Sequence, residues 1–241
     1  MNKKKIFVWA LIAVVICAIV LGSVLLFCKY LPEKRRQEEF IRYAQEYYDN
    51  KLAFYDEKNK EYADFEVDVA FIGDSLTDGY DIEHYYPEYK VENRGIAGDT
   101  THGLLARLDV SVYRLKPKII VMLIGANNFD TMFEDYEDLI IGIKTNLPET
   151  QLIICSLTSM GREWGRNNHK AAFNNVKIER YAEKHGCPFV DLYTPLLNFE
   201  TNEIYEHYTT DGGHLTEDGY IPPFCQPLSA RICFLYIERY A

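Results

Sequence analysis

The chain has 241 residues, a formal net charge of −10, and the 48% hydrophobic and 14% aromatic content of an ordinary folded protein. Its length allows one domain with a full hydrophobic core. Seven of the 26 basic residues and one of the 36 acidic residues lie within positions 1–36, which leaves 19 basic against 35 acidic residues, about −16, for the rest. A domain this acidic repels polyanions, so we expect no nucleic-acid partner.

The N-terminus combines a short basic tail, residues 1–5, with an uncharged apolar stretch, residues 6–28. That stretch is long enough to cross a bilayer as one helix. A cleavable signal peptide has a shorter apolar core with small residues before the cut, and this stretch fits neither feature. We therefore expect a single-pass membrane anchor, with a buried helix of the globular domain as the alternative.

The orientation of this anchor is predicted from the positive charges on its two sides, whose numbers are nearly equal. Three Lys precede the span and four Lys or Arg follow it closely. Because the short tail carries three lysines, keeping it inside the cell avoids moving those charges across the membrane. We expect the folded domain on the extracytoplasmic side.

Residues 29–64 are charged and aromatic, with aromatic side chains at helical spacing, and predict a stalk or a first helix.

A catalytic domain is predicted from 65 to 241. In it, short apolar runs alternate with helical patterns near 100–115, 134–147 and 169–186. The apolar runs predict strands at 67–72, 89–93 (the weakest), 118–124, 151–157 and 187–192. Apolar strands that alternate with helices predict a parallel sheet of about five strands in a three-layer α/β/α sandwich.

Small and polar residues follow four of these strands, and the carboxyl edge of a parallel sheet is where functional residues gather. The segments are "GDSLTDG", "NRGIAGDTT", "GANNFD" and, past an irregular stretch, "DGGHLTEDGY". Ser75 offers a hydroxyl at a strand-to-helix turn. Asp211 and His214 are three positions apart, which on a turn of helix places both on one face. His214 is thus a candidate base for Ser75, and Asp211 a candidate orienting acid.

Ester hydrolysis also needs hydrogen-bond donors for the oxyanion that forms in the transition state. Gly98 lacks a Cβ atom, so its backbone N–H can approach a ligand closely. Asn127 can donate from its side-chain amide. Together with the Ser75 hydroxyl and the Asp211–His214 pair, these groups predict acyl-transfer chemistry.

These four blocks, in this order, resemble those of the SGNH-hydrolase superfamily, also called GDSL esterases and lipases. "GIAGDTT" and "GANN" look most like its platelet-activating-factor acetylhydrolase branch. The resemblance implies a flavodoxin-like α/β fold with Ser75 as the nucleophile, His214 as the base and Asp211 as the acid. It further implies an oxyanion hole formed by the amides of Ser75, Gly98 and Asn127. It covers roughly residues 67–221.

The prolines after the last block and the spacing of the histidines support two further expectations. Pro222, Pro223 and Pro227 disfavour an unbroken helix after the last block, so that helix is expected to begin late, near Pro223 or Pro227. No metal site and no cofactor are expected, because five histidines have no partner at metal-ligand spacing: His84, His102, His169, His185 and His207.

Several residues near the blocks have structural interpretations. Asp74 and Asp78 are expected to bond turn amides or cap the next helix, and Asp99 and Thr100 to cap the helix that follows them. Trp164 lies in a long polar loop, 158–170. It is predicted either to line the substrate cleft, as a stacking platform, or simply to pack that loop.

The leading hypothesis is a membrane-anchored serine esterase that hydrolyses a small acyl ester, with acetyl favoured, through an acyl-enzyme. The polar loop 158–170 suits a small-molecule or glycan ester better than a long lipid chain. The alternatives are an O-acyltransferase with the same triad, a lysophospholipase or thioesterase that acts on longer chains, and an inactive surface scaffold. The intact set of site residues argues against the scaffold.

Overall fold

The structure is a computed structural model that describes residues 3–220, 228–229 and 231–232. It divides into two compact units, Met1–Asn50 and Lys51–Ala241. The predicted late start of the last helix, near Pro223 or Pro227, lies outside the described residues. Leu228 and Ile232, which are described, belong to the buried core of the second unit.

The first unit is helical. Helix α1 (Lys3–Leu25) runs through a π-helical turn (Leu26–Tyr30) into helix α2 (Leu31–Asn59), whose last residues, from Lys51 on, belong to the second unit. The side chains of α1 from Ile6 on are exposed, and all except that of Ser23 are apolar. Its length and composition suit a membrane span, although a signal sequence has the same properties.

The second unit is built on one parallel sheet in the strand order β2-β1-β3-β4-β5. Its strands are β1 (Val69–Gly73), β2 (Val91–Gly95), β3 (Ile119–Leu123), β4 (Gln151–Cys155) and β5 (Phe189–Val190). Every residue of β1 and β3 is buried, as expected for central strands covered on both faces. All five predicted strands are present, and the fifth is shorter than predicted.

Helices connect the strands and cover the sheet. They are α3 (Ser75–Asp78), α4 (Ile82–Tyr85), α5 (Thr101–Ala106), α6 (Tyr136–Asn146), α7 (Asn168–Lys184) and α8 (Glu217–Gly219). A π-helical turn (Asp109–Tyr113) follows α5, and 3₁₀ turns lie at Met132–Glu134, Arg162–Asn167, Thr194–Leu196 and Glu206–Tyr208. A short antiparallel hairpin joins β6 (Leu197–Asn198) to β7 (Glu203–Ile204). Because parallel crossovers are right-handed, the connection from β1 to β2 and those that run in the other direction, from β2 to β3 and onward, lie on opposite faces of the sheet. This gives the three-layer sandwich.

Strand order creates a crevice at the carboxyl edge of the sheet. From β1 the chain crosses to β2 on one side, and from β2 it returns past β1 to β3 on the other. Such a reversal between neighbouring strands opens a crevice beyond their carboxyl ends. The register pairs Gly73, the last residue of β1, with Gly95 and with Leu123, so the three strands end level with one another.

A buried arginine fastens these strand ends. Arg107 pairs with Asp99 through Nε and Oδ2 at 2.7 Å, and its Nη1 donates to the carbonyl of Arg94 at 2.8 Å. Its Nη2 donates to the carbonyl of Gly73 at 3.1 Å. One side chain thus ties the end of β1 to β2 and to the segment that follows β2.

Candidate active site

Ser75 lies at the first position of α3, directly after β1. Asp74 caps this helix, since its Oδ1 accepts the N–H of Leu76 at 3.2 Å. Gly73 allows β1 to approach β3 closely, because a Cβ atom at that position would lie 2.1 Å from the carbonyl oxygen of Leu123. The strand end therefore delivers the Ser75 hydroxyl to the crevice, as the sequence predicts.

Asp211 and His214 meet in a bend and not on a helical turn, which corrects the geometry expected from their spacing. The Asp211 Oδ1 accepts the backbone N–H groups of Gly213 (2.9 Å) and His214 (2.8 Å). Gly212 has φ +97°, and a Cβ there would lie 2.0 Å from the carbonyl oxygen of Gly161. Since glycine alone fits this conformation and this contact, the chain turns back here and brings the two side chains together.

A continuous hydrogen-bonded chain joins the three polar side chains. The Asp211 Oδ2 lies 2.7 Å from the His214 Nδ1, and the His214 Nε2 lies 3.0 Å from the Ser75 Oγ. An ionised carboxylate can only accept, so Nδ1 carries the proton and Nε2 is left to accept from the serine hydroxyl. This arrangement allows the imidazole to remove the Ser75 proton.

The charge state of Asp211 suits an orienting acid. Partial burial acts to raise its pKa, but hydrogen bonds from the backbone and ring of His214, and from the Gly213 N–H, outweigh that effect and hold the pKa at about 2. Asp211 is therefore a carboxylate at neutral pH. It can fix the imidazole tautomer and stabilise a positive charge on the ring.

Three hydrogen-bond donors meet at the same cleft. Gly98 has φ +80°, a backbone conformation that glycine adopts without strain. Asn127 donates from Nδ2 to the carbonyl of Asp99 at 2.8 Å, which fixes its amide and leaves its second N–H available. In the part of the chain that the structure describes, the backbone N–H groups of Ser75 and Gly98 have no hydrogen-bond acceptor.

The cleft has a volume of about 220 Å³ and contains Ser75, Gly98, Asn127 and His214 in its lining. Trp164, for which two positions were expected, lines the cleft, with its ring edge-to-face against His214 at 6.2 Å between centroids. The other walls are mainly apolar and come from Leu76, Ala97, Ala126 and Met160. Ala97 and Ala126 directly precede Gly98 and Asn127, a proximity in sequence that already indicates a position beside the cleft.

Of the two residues expected to cap α5, Asp99 and Thr100, only Thr100 does so. Thr100 caps α5, with its hydroxyl accepting the Gly103 N–H at 3.1 Å. Asp99 instead directs its carboxylate to Arg107 and to the Thr100 N–H. Burial raises the pKa of Asp99, and the neighbouring guanidinium acts against that shift.

Within the described residues, His, Cys, Asp and Glu side chains form no group of three or more that could hold a metal ion.

Comparison with known proteins assigns the family. Residues 71–220 match the GDSL-like lipase/acylhydrolase family. The chain belongs to this family. Its match spans all four sequence blocks and the cleft that they form, and this GDSL protein is accordingly an ester-hydrolysing enzyme.

Individual relatives agree with this assignment. The platelet-activating factor acetylhydrolase IB subunit alpha2 of Rattus norvegicus is 31% identical over 186 residues, which cover 73% of this chain and 80% of the relative. The human subunit is 32% identical over 187 residues, with the same coverage. A GDSL-like lipase structure from Bacteroides thetaiotaomicron is 26% identical, with a TM-score of 0.68, over 76% of this chain and 98% of that one.

A more distant structure shares the fold. The acetylxylan esterase Axe2 of Geobacillus stearothermophilus is 19% identical, with a TM-score of 0.58, over 70% of this chain and 95% of that one. At this identity the likeness extends to the architecture of the sheet and its helices.

Asp74 is the cleft residue whose environment the sequence did not reveal. Its side chain caps α3 as expected, but it is only 1% exposed and lines the cleft next to Ser75. Burial, together with the nearby charge of Asp99, raises its pKa to about 7, although hydrogen bonds to backbone N–H groups and the charge of His214 oppose the shift. A carboxyl group that titrates near neutrality therefore lies beside the serine.

Because the folded-state pKa of Asp74 is raised, its contribution to stability is fully present below about pH 4 and is lost as the pH rises through about 7. The difference between a pKa of about 7 and the ordinary value for aspartate corresponds to roughly 4 kcal/mol. Asp74→Asn keeps the cap and removes this titration. We expect the free energy of unfolding of the variant to rise relative to wild type between about pH 4.5 and about pH 8.

Urea denaturation of the full-length protein in detergent measures this difference at several pH values. Asp218→Asn, at an exposed carboxylate in α8, serves as the control and should follow wild type across the range. A constant difference between Asp74→Asn and wild type at all pH values would show that Asp74 does not titrate in this interval.

Proposed function

We propose that this protein is a membrane-anchored serine esterase that hydrolyses small acyl esters through an acyl-enzyme on Ser75. The observation that carries this proposal is the hydrogen-bonded chain from Asp211 through His214 to Ser75 at the mouth of the cleft. The family assignment supports ester hydrolysis, and the chain of hydrogen bonds supports a serine nucleophile as its means.

In the acylation step, the His214 Nε2 takes the hydroxyl proton as the Ser75 Oγ bonds to the ester carbonyl carbon. The imidazolium that forms is stabilised by the Asp211 carboxylate, which stays ionised because of its low pKa. As the tetrahedral intermediate collapses, the C–O bond to the alcohol breaks and His214 gives its proton to the leaving oxygen. Water then attacks the acyl carbon, with His214 again acting as the base. The bond from that carbon to the Ser75 Oγ breaks, and His214 returns the proton to the serine as the acid is released.

The negative oxygen of the intermediate needs donors that are already in place. The backbone N–H groups of Ser75 and Gly98 and the side-chain amide of Asn127 are proposed to supply them. The bond from Asn127 to the Asp99 carbonyl holds the amide before substrate arrives. Donors that need no rearrangement stabilise the transition state most effectively, because the reaction does not have to reorient them.

A small acyl group is supported by the size of the cleft and by the relatives. A cleft of about 220 Å³ is smaller than the roughly 300–1,000 Å³ of pockets that enclose drug-sized ligands. The mammalian relatives are named as acetylhydrolases of platelet-activating factor. We propose acetyl as the preferred acyl group of this enzyme.

For the alcohol part of the substrate we propose a polar carrier such as a glycan. The loop that contains Trp164 is polar, and its aromatic ring forms one wall of the cleft beside His214. An indole at that position can stack against the face of a sugar. The charge of about −16 on the chain beyond residue 36 disfavours approach to anionic lipid headgroups.

The membrane anchor is the last part of the proposal. Helix α1 is exposed and apolar from Ile6 on, which supports insertion into a bilayer. Lys3, Lys4 and Lys5 precede the apolar part of this helix, and we propose that they remain in the cytoplasm with the catalytic unit outside.

Replacing Ser75 tests the nucleophile directly. Ser75→Ala removes the only atom proposed to bond to the acyl group, so hydrolysis of p-nitrophenyl acetate and labelling by a fluorophosphonate should both disappear. The control for misfolding is the thermal transition, which should occur at the same temperature in Ser75→Ala as in wild type. Full turnover by that folded variant would exclude the serine mechanism.

The acyl preference is tested with a series of p-nitrophenyl esters from acetate to palmitate. Because the cleft is small, kcat/KM should be highest for acetate and fall as the chain lengthens. A maximum at eight carbons or more would favour a lipase or thioesterase. Transfer of acetyl to an added sugar in preference to water would identify an acyltransferase with the same catalytic groups.

The anchor is tested by extraction of membranes that contain the full-length protein. An integral helix resists both high salt and alkaline carbonate, so the protein should stay in the pellet. Release by carbonate, or a mature N-terminus beyond the apolar stretch, would contradict a retained anchor. Protease treatment of intact cells reports the side, and a protected catalytic unit would reverse the proposed orientation.

A further inference from the structure

The turn that presents Gly98 depends on more than its own sequence. The N–H of Asp99 donates to the carbonyl of Ile96 at 3.1 Å, and the φ of +80° at Gly98 suits the third position of a type II turn. The peptide group that joins Ala97 to Gly98 is the central peptide of this turn, and glycine as its second residue allows that peptide to rotate. Some contact must therefore fix its direction before the substrate arrives.

Asp78 makes that contact from the end of α3. Its Oδ2 accepts the N–H of Ala97 at 3.0 Å, one residue before Gly98. Its Oδ1 lies 2.5 Å from the Nζ of Lys51, and the two side chains are 10% and 27% exposed. A carboxylate this close to a proposed oxyanion donor would oppose the negative charge of the intermediate unless a cation neutralised it, and the Lys51 ammonium supplies that cation.

Hydrogen bonds hold the end of α2, which carries Lys51, against β2 and the segment that follows α5. Tyr55, one turn further along, donates its hydroxyl to the Gly95 carbonyl at 2.6 Å. Arg94 donates from Nη1 to the carbonyl of Tyr55 at 3.2 Å, and Asn59 donates from Nδ2 to the carbonyl of Val110 at 2.7 Å. The helical segment that carries Lys51 is thus held against the strand from which the Gly98 turn leaves.

We propose that the Lys51–Asp78 pair is a positioning device for the oxyanion hole, which rests on the function proposed above. Asp78 holds the Ala97 N–H and thereby directs the adjacent Gly98 N–H into the cleft. Lys51 fixes the Asp78 carboxylate and cancels its charge. Neither side chain lines the cleft, so both act through the backbone and not on the substrate.

Lys51→Met in the full-length protein tests this role. Without the ammonium, the Asp78 carboxylate loses the cation that offsets its charge, and that charge then opposes the oxyanion. We expect kcat for p-nitrophenyl acetate to fall roughly tenfold, less than the 10²–10³ loss that follows removal of a donor itself. KM should stay within about twofold, because the interaction matters in the transition state and not in the bound substrate. Lys51→Arg, which restores the charge, should recover most of kcat.

A closely matched pair provides the control. Lys118 lies 2.7 Å from Asp68, with side chains 21% and 14% exposed. Asp68 also accepts a backbone N–H, that of Lys90 at 2.8 Å, but it precedes β1 and so lies at the opposite edge of the sheet from the cleft. Lys118→Met should lower the free energy of unfolding about as much as Lys51→Met does, and leave kcat unchanged.

The outcomes separate this inference from the proposed function. A selective fall in kcat for Lys51→Met, with recovery in Lys51→Arg, supports the positioning role. Equal kcat values for Lys51→Met and Lys118→Met would overturn it, as would an effect confined to KM. If wild type neither hydrolyses the ester nor reacts with a fluorophosphonate, the proposed function itself fails.

Discussion

The buried ion pair between Arg107 and Asp99 connects the parts of the chain that form the site. Its guanidinium bonds the carbonyls at the ends of β1 and β2, and its carboxylate partner lies in the turn after β2. The carbonyl of that same aspartate accepts the amide of Asn127, which follows β3. Three strand ends are thereby held in one arrangement. Removing one partner of a buried pair costs about 3–5 kcal/mol, because the other charge is left buried without compensation, so the arrangement depends on both residues.

Around these strand ends, the environment shifts the pKa values of two aspartates in opposite directions. Asp211 lies in a bend where N–H groups surround it, and its pKa falls to about 2. Asp74 is buried beside Ser75 in the lining of the cleft, and its pKa rises to about 7. Near neutral pH the acid that contacts the imidazole is fully charged, whereas the acid beside the nucleophile carries only part of a charge. Less negative charge beside Ser75 favours the formation of an oxyanion in the cleft.

Much of the fold follows from local sequence pattern. The apolar runs that became β1, β3 and β4 are buried on both faces, and the residues after β1, β2 and β3 reach one edge because parallel strands all end there. Periodicity was less informative for β5, whose two paired residues form a small part of a longer apolar run. The Asp211–His214 contact was predicted, but its geometry depends on the tight approach of Gly212 to Gly161, which spacing does not encode.

Contacts between distant parts of the chain could not be read from the sequence. Lys51 and Asp78 are separated by 27 positions, and nothing in the charged segment 29–64 distinguishes this lysine from its neighbours. Arg107 likewise resembles any basic residue on a helix until the fold buries it. The pKa of Asp74 depends on burial, which an Asp next to a Ser does not reveal. These are tertiary effects, and they appear only once the strands are assembled.

The most direct test of a serine nucleophile is to trap the covalent intermediate. Full-length protein is mixed with p-nitrophenyl acetate, quenched in acid during turnover, digested, and analysed by mass spectrometry. We expect an acetyl group on Ser75 in the peptide that contains the GDSL block. Continued ester hydrolysis with no acyl group on Ser75 at any quench time, or with the acyl group on a different residue, would contradict this expectation.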